Sequence, residues 1–360
     1  MQKSRHNSSN DDLCETQVNT SHKPWGNVLV LKLILKFALA TAASILALTA
    51  AALADPLPSW KDTASKSRIV AFVDAVTDPA SEDYVTPADR VAVFDNDGTL
   101  WSEKPLYFQI LFALDQVRKK GTIDPSILTS DTLRAAAKGD LETVLAGGAD
   151  DLIEVLLTAH SGMSAETYRS NVLNWLASAR HPKTNLPFDQ MVYQPMLELL
   201  RYLRDEGFET YIVSGGGIDF MRVFAERVYG IPPENIVGSS LQASYKVING
   251  VPTIMKKGEL FFYDDKEGKP VGIYHHIGKR PILAAGNSDG DFQMLEYTTA
   301  GDGARLGLFV HHTDDAREWA YDRQGHIGVL SRGLDEAEAR GFLLVDMAQD
   351  WAKVYPATDQ

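Results

Sequence analysis

Val91-Ala92-Val93-Phe94-Asp95-Asn96-Asp97-Gly98-Thr99 decides how this chain reads. Four apolar residues bounded by Arg90 and Asp95 suit a strand buried on both faces of a parallel sheet. Two carboxylates follow, two residues apart, and then a glycine that permits a sharp turn away from the sheet. Carboxylates leaving a buried strand are costly unless a cation or a substrate uses them. One of the pair can attack phosphorus while the other transfers a proton to the leaving group. A calcium loop is the bland alternative, but an EF-hand loop sets its glycine sixth, between helices. Here the glycine is fourth and follows a strand.

Working outward, the same strand character returns at Thr210-Tyr211-Ile212-Val213, at Pro281–Ala285 and at Leu306–Val310. Residues 105–200 differ, with helical spacing over Leu106–Arg118, Asp131–Leu145, Asp150–His160 and Ala165–Ser178. They read as a helical insertion after the first core strand. Helices are also expected at Ser65–Val76, Pro195–Glu206 and Phe220–Tyr229. Between 236 and 277, Val, Ile, Tyr and Phe are broken by Asn249-Gly250 and Glu267-Gly268, which read as hairpin turns. Strands alternating with helices give an α/β fold with a Rossmann-like parallel sheet.

Open α/β sheets bind ligands beyond the carboxyl ends of their strands, and three further clusters are expected there or nearby. Ser214-Gly215-Gly216-Gly217 offers a hydroxyl beside free backbone N–H groups at a helix start, an anion cradle. It is not a Walker loop, because no Gly-Lys-Ser/Thr follows. Lys279 stands two residues before the Pro281–Ala285 strand; a lone lysine is ordinarily a solvated surface charge. Gly286-Asn287-Ser288-Asp289-Gly290-Asp291 is rich in oxygen ligands, which suits a hard cation such as magnesium.

Taken in order, these four clusters resemble the motifs of the haloacid dehalogenase superfamily, in particular its phosphoserine-phosphatase-like branch. The family pattern is Asp-x-Asp-x-Thr, then Ser or Thr, then Lys, then an acidic loop. The resemblance covers about Val91 to Val310. It implies a magnesium-dependent phosphatase with a helical cap: core 55–104 and 201–360, cap 105–200, leader 1–54. Asp95 is then the nucleophile that forms an aspartyl-phosphate, and Asp97 the acid and base. Thr99, Ser214, Gly215 and Lys279 bind substrate, and Asp95, Asp97, Asn287 and Asp291 hold the metal. One position departs from the pattern: the acidic loop usually opens Gly-Asp, and here it opens Gly286-Asn287. On sequence alone, Asn287→Asp is expected to tighten magnesium binding. A phosphotransferase or phosphomutase of the same fold, and a non-catalytic binder of phosphorylated ligands, are the competing readings.

Composition narrows the partners. The net charge of −13 and the lack of a basic run argue against nucleic acid, and the resemblance implies a small phosphorylated substrate. Phe37–Ala54 carries no charge, follows Lys32 and Lys36, and closes on Ala52-Leu53-Ala54, as a secretory signal peptide does. Cleavage after Ala54 and a periplasmic or secreted protein are expected, with the membrane involved only through this segment. Cys14, the only cysteine, lies upstream of that cut, so the mature chain has no thiol nucleophile and no thiolate metal site. The pairs His275-His276 and His311-His312 are read as strand residues pointing to opposite faces, and hence not as a metal site. Aromatic residues near the insertion (Trp101, Tyr107, Phe108, Trp175) are expected mostly in the core. Oligomeric state is not legible.

Overall fold

A computed structural model describes residues 55–356. After helix α1 (Ala64–Thr77), strand β1 (Val91–Phe94) enters the middle of the sheet. Helices α2 (Phe108–Ile123), α3 (Asp131–Lys138), α4 (Leu141–Ala146), α5 (Gly148–His160) and α6 (Ala165–Ser178) follow without an intervening strand. Then come α7 (Gln194–Asp205), β2 (Glu209–Gly217), α8 (Ile218–Met221), α9 (Ala225–Tyr229), β3 (Ile236–Ile248) and β4 (Val251–Phe262). The chain closes with α10 (Gly268–His276), β5 (Leu283–Gly286), α11 (Phe292–Thr299), β6 (Leu306–Thr313), β7 (Ala320–Tyr321), α12 (Arg332–Arg340), β8 (Leu343–Asp346) and α13 (Met347–Asp350).

The sheet runs β4-β3-β2-β1-β5-β6-β7, with β8 also paired to β6. Pairs β1–β2, β1–β5, β2–β3, β5–β6 and β6–β8 are parallel, while β3–β4 and β6–β7 are antiparallel. All four residues of β1 are buried, as expected of a central strand covered on both faces. The parallel α/β core read from the sequence is therefore present.

Local signals set the ends of the insertion's helices. Ser130 and Ser164 accept the N–H groups of Leu133 and Thr167 and so cap α3 and α6, while Gly139 at φ 78° ends α3 in the left-handed conformation. An aromatic ladder roots the insertion in the core. Trp101 stacks on Phe224 at 4.5 Å and meets Phe108 at 4.9 Å, and Trp175 stacks on Phe188 at 4.6 Å. Trp101, Phe108 and Trp175 are thus core residues.

Three local readings are corrected. Glu267-Gly268 is no hairpin turn but the start of α10, so His275 and His276 lie in a helix. The helix expected over 220–229 is two short ones, α8 and α9. The boundary drawn at residue 200 falls inside α7, whose Met196, Leu199, Leu200 and Leu203 join the main core cluster. By contrast, the Asn249-Gly250 turn forms with φ of 50° and 81°, as a two-residue hairpin between right-twisted strands requires.

That hairpin reaches the insertion. Lys256 N–H donates to the Met163 carbonyl at 3.0 Å, and Gly162 N–H donates to the Lys256 carbonyl at 3.1 Å. Backbone bonds therefore tie β4 to the α5–α6 turn. Among the described residues no helix is long and apolar enough to cross a membrane.

The C-terminal segment anchors in the core through Trp351. Trp351 is fully buried, packs edge-on to Trp60 at 6.0 Å and lies 5.3 Å from the Tyr193 ring. Trp351→Ala is expected to cost about 3–5 kcal/mol of stability through the cavity it leaves. Urea unfolding of the two proteins measures this; a loss below about 1 kcal/mol would mean the segment is not part of the cooperative core.

Candidate active site

Asp95 takes its place because its N–H donates to the Ala285 carbonyl at 2.9 Å, fixing the end of β1 against β5. Behind it the chain turns: Leu100 N–H bonds to Asn96 O at 2.8 Å, and Gly98 adopts φ 75°. A Cβ at Gly98 would come within 2.0 Å of the Asn287 amide, so only glycine allows that loop to pass so close. Asp97 accepts the Trp101 indole N–H at 2.8 Å.

Asp95, Asp97, Ser214, Gly215, Gly216 and Gly217 line one cavity of about 230 Å³. Ser214 Oγ accepts the Gly216 N–H at 3.2 Å, and Gln109 Oε1 accepts the Gly217 N–H at 2.6 Å. The carboxylate pair, the hydroxyl and the glycine turn are therefore brought together as the sequence predicts. Away from the acids, α5 supplies an apolar wall of Leu152, Ile153, Leu156 and Leu157. His160, Tyr168 and the ion pair of Lys256 with Asp219 border it.

Lys279 is not at the site. It is half exposed, pairs with Asp89 at 3.2 Å and donates to the Ala88 carbonyl. The reason is sheet polarity: a residue that precedes a strand sits at the amino edge, whereas the site lies at the carboxyl edge. Lys269, in the first turn of α10, stands in its place. It is 2% exposed, with its ammonium group 2.8 Å from Asp95 Oδ1 and also bonded to Asp291 Oδ1. The signal that could have found it is a lysine at the carboxyl edge. Mistaking α10 for a turn and strand hid it.

The fourth loop also divides differently from the prediction. Asp291 Oδ2 accepts the N–H groups of Asn287 and Ser288 at 2.9 and 3.0 Å, and its Oδ1 is taken by Lys269. A carboxylate so fully engaged braces the loop and is not placed as a metal ligand. Asp289 turns away to accept N–H groups of Ser331, Arg332 and Gly333 at the start of α12. Thr99 is fully buried and donates to Asn287 Oδ1 at 3.2 Å; it supports Asn287 and does not line the cavity. Sequence reasoning gave no role to Glu103, which lines the cavity and accepts from Asn287 Nδ2 at 2.9 Å and Tyr321 Oη at 2.8 Å.

Burial governs the electrostatics. It raises Asp95 to about 7, helped by the Asp291 charge and opposed by Lys269. It raises Asp97 to about 6, with the Trp101 hydrogen bond and Lys269 pulling the other way. Asp264, buried beside Lys269, is likewise lifted to about 7 by burial. Burial also works against the charge of Lys269, but Asp291 and Asp95 outweigh it and hold the ammonium above the ordinary lysine range. His160 falls to about 3 through burial and the nearby Lys256 charge, and so stays neutral.

The oxygen donors beside Asp95 suit a hard cation. Asp95 and Asp97 bring carboxylate oxygens to the cavity, while the Asn287 amide turns its nitrogen to Glu103 and its oxygen to Thr99. Among the described residues, no group of three His, Cys, Asp or Glu side chains forms a metal cluster of its own.

The sequence from 92 to 296 matches the family model of haloacid dehalogenase-like hydrolases. The chain belongs to that family. No curated protein matches the sequence. A conserved protein of unknown function from Anaerococcus prevotii is similar in fold, with 18% identity and a TM-score of 0.50 over 78% of this chain and 91% of its own. A protein of unknown function from Bordetella pertussis is 17% identical, with a TM-score of 0.46 over 72% of this chain and 98% of its own. A phosphoserine phosphohydrolase-like protein from Francisella tularensis is 15% identical, with a TM-score of 0.36 over 69% of this chain and 98% of its own.

The two lysines give a direct check. Lys269→Met is expected to abolish turnover, lowering kcat by about a hundredfold or more, while Lys279→Ala keeps near wild-type rates. Circular dichroism confirms that each variant is folded. Loss of activity in Lys279→Ala with Lys269→Met still active would reverse the assignment.

Proposed function

We propose that the protein is a magnesium-dependent phosphomonoesterase working through an aspartyl-phosphate on Asp95. The observation that carries this reading is the convergence of Asp95, Asp97, Ser214 and Lys269 in one cavity at the carboxyl edge of the sheet. Asp95 attacks phosphorus with one carboxylate oxygen, and the bond from phosphorus to the leaving oxygen breaks. Asp97 gives its proton to that oxygen, releasing the alcohol. Its burial-raised position near 6 leaves it partly protonated near neutrality, which suits an acid that then becomes a base. In the second half Asp97 takes a proton from water as the water oxygen attacks the aspartyl-phosphate, freeing inorganic phosphate and restoring Asp95.

Ser214 and Gly215, beside the two acids, orient the phosphoryl oxygens, and Lys269 offsets their charge. Asp95, the Asp97 carbonyl and Asn287 would hold magnesium, which would supply positive charge where nucleophile and phosphate otherwise repel. The 105–200 insertion acts as the cap over the site, and the Leu-rich wall of α5 excludes water from it. The cavity's size and apolar wall favour a small phosphorylated alcohol as substrate. A phosphomutase would have to retain and turn a phosphorylated intermediate within this small space.

The protein's compartment belongs to the same proposal. Phe37–Ala54 and its Ala52-Leu53-Ala54 end lie outside the described residues, and they support export with cleavage after Ala54. N-terminal sequencing of protein from its native host is expected to begin at Asp55. A soluble cytoplasmic protein that retains the leader would refute export.

Hydrolysis of p-nitrophenyl phosphate tests the chemistry. Wild-type protein is expected to turn it over with magnesium and to stop on chelation. Asp95→Asn should lower the rate by about a thousandfold or more and form no phosphoenzyme. A folded Asp95→Asn protein that keeps substantial activity would overturn the nucleophile.

A further inference from the structure

Helix α5 is built the wrong way round for a surface helix. Val155 and Ala159 form its core stripe and are buried in the insertion's own hydrophobic cluster. Its acids are half-buried and bonded within the insertion: Asp151 accepts the Thr132 hydroxyl and Glu154 the Ser130 hydroxyl, both at 2.8 Å. The side that faces the cavity carries Ile153, Leu156, Leu157 and His160, a single stripe at spacing i, i+3, i+4, i+7. Ile153 and Leu157 belong to none of the hydrophobic clusters among the described residues, so the packing of the fold does not call for them. Apolar side chains gathered on an open concave face mark a binding surface. The hairpin extends it: Leu241 and Leu260 are direct partners in the β3–β4 pairing, and both line the cavity. Polar groups near this wall are spent on one another. Lys256 pairs with Asp219 and lies over the Tyr168 ring at 4.7 Å, and neutral His160 has its Nε2 3.5 Å from the Tyr168 hydroxyl.

We propose that the site selects phosphomonoesters of apolar alcohols. The phosphoryl group sits among Asp95, Ser214 and Lys269, and an alkyl leaving group lies along Ile153, Leu157, Leu241 and Leu260. The inference rests on the phosphomonoesterase reading given above and deepens it by naming the substrate class. Each methylene moved from water onto this wall favours binding. A polyol phosphate of similar size would instead have to strip water from hydroxyls that leucine and isoleucine side chains cannot bond. Specificity then comes from α5 and the hairpin, while the carboxyl edge of the sheet supplies the chemistry.

Chain length reads this directly. Ethyl, butyl and hexyl phosphate release alkanols of nearly equal acidity, so the series varies burial and not the chemistry of the leaving group. With the purified protein and magnesium, kcat/KM from phosphate release is expected to rise about threefold per methylene. Propyl phosphate is expected to exceed glycerol phosphate, its hydroxylated counterpart, by about tenfold or more. Leu157→Asn is expected to lower the hexyl-to-ethyl ratio of kcat/KM by about tenfold. That ratio is read within one protein, so a general loss of activity does not imitate the effect, and Ile153→Asn gives a second reading should Leu157→Asn fail to fold. Suppose the protein hydrolyses p-nitrophenyl phosphate but shows a flat alkyl series, no turnover of that series, or a preference for glycerol phosphate over propyl phosphate. The substrate class is then overturned and the phosphatase reading stands. A wild-type slope in both folded variants would overturn the role of α5. A protein that hydrolyses none of these esters, p-nitrophenyl phosphate included, would take both readings down.

Discussion

The ammonium group of Lys269, shared between Asp95 and Asp291, is the contact on which the rest of the site depends. Three ionisable groups buried together are expensive to desolvate, and only close pairing makes their charged forms tolerable. The geometry shows where the compensation is found. Asp291 is held by the Asn287 and Ser288 N–H groups, so Lys269 is clamped between a rigid loop and the end of β1. Three segments far apart in sequence are thereby fixed relative to the nucleophile. Removing Lys269 would leave Asp95 and Asp291 buried without their cation, and breaking a buried pair in this way typically costs about 3–5 kcal/mol.

Much of this was legible in the sequence for a physical reason. A central parallel strand is buried on both faces, so Val91–Phe94 reads as an unbroken apolar run, and the first polar residue after it marks the carboxyl edge. Asp95, Asp97, Ser214 and Gly215 all lie at the carboxyl ends of strands, and that rule brings them to one cavity. Lys279 failed because it precedes its strand and therefore lies at the opposite edge. Lys269 was hidden because α10 is only nine residues long and opens on Gly268 and Pro270, which read as turn signals. Glu103 had no local signal. Its meaning comes from a contact across 184 residues with Asn287, and no periodicity or spacing encodes that.

The insertion and the β3–β4 hairpin show the same division between local and tertiary information. Helical spacing and a two-residue Asn-Gly turn gave most of the helices and the hairpin individually, although the helix expected over Asp131–Leu145 is divided into α3 and α4 at Gly139. Their joining through Lys256, Met163 and Gly162 is backbone to backbone, and side-chain identity does not announce it. Function follows from that join. The hairpin brings Lys256, Leu260 and Tyr263 to the cavity that α5 also lines, so one wall is built by a segment outside residues 105–200.

The charge balance within the cavity links these observations to the proposed chemistry. Asp95, Asp97 and Asp291 crowd around Lys269, while Glu103 has Lys104 nearby. Burial raises Asp95 and Asp97, and lifts Glu103 well above its ordinary range. Carboxyls raised chiefly by burial ionise with difficulty unless a positive charge offsets them. A phosphomonoester would bring still more negative charge into the same space. A divalent cation on the oxygen donors would let the acids ionise and the phosphate approach together, whereas protonation alone would silence the nucleophile. The proposal of a hard metal ion therefore rests on an electrostatic requirement of these residues as well as on the family they resemble.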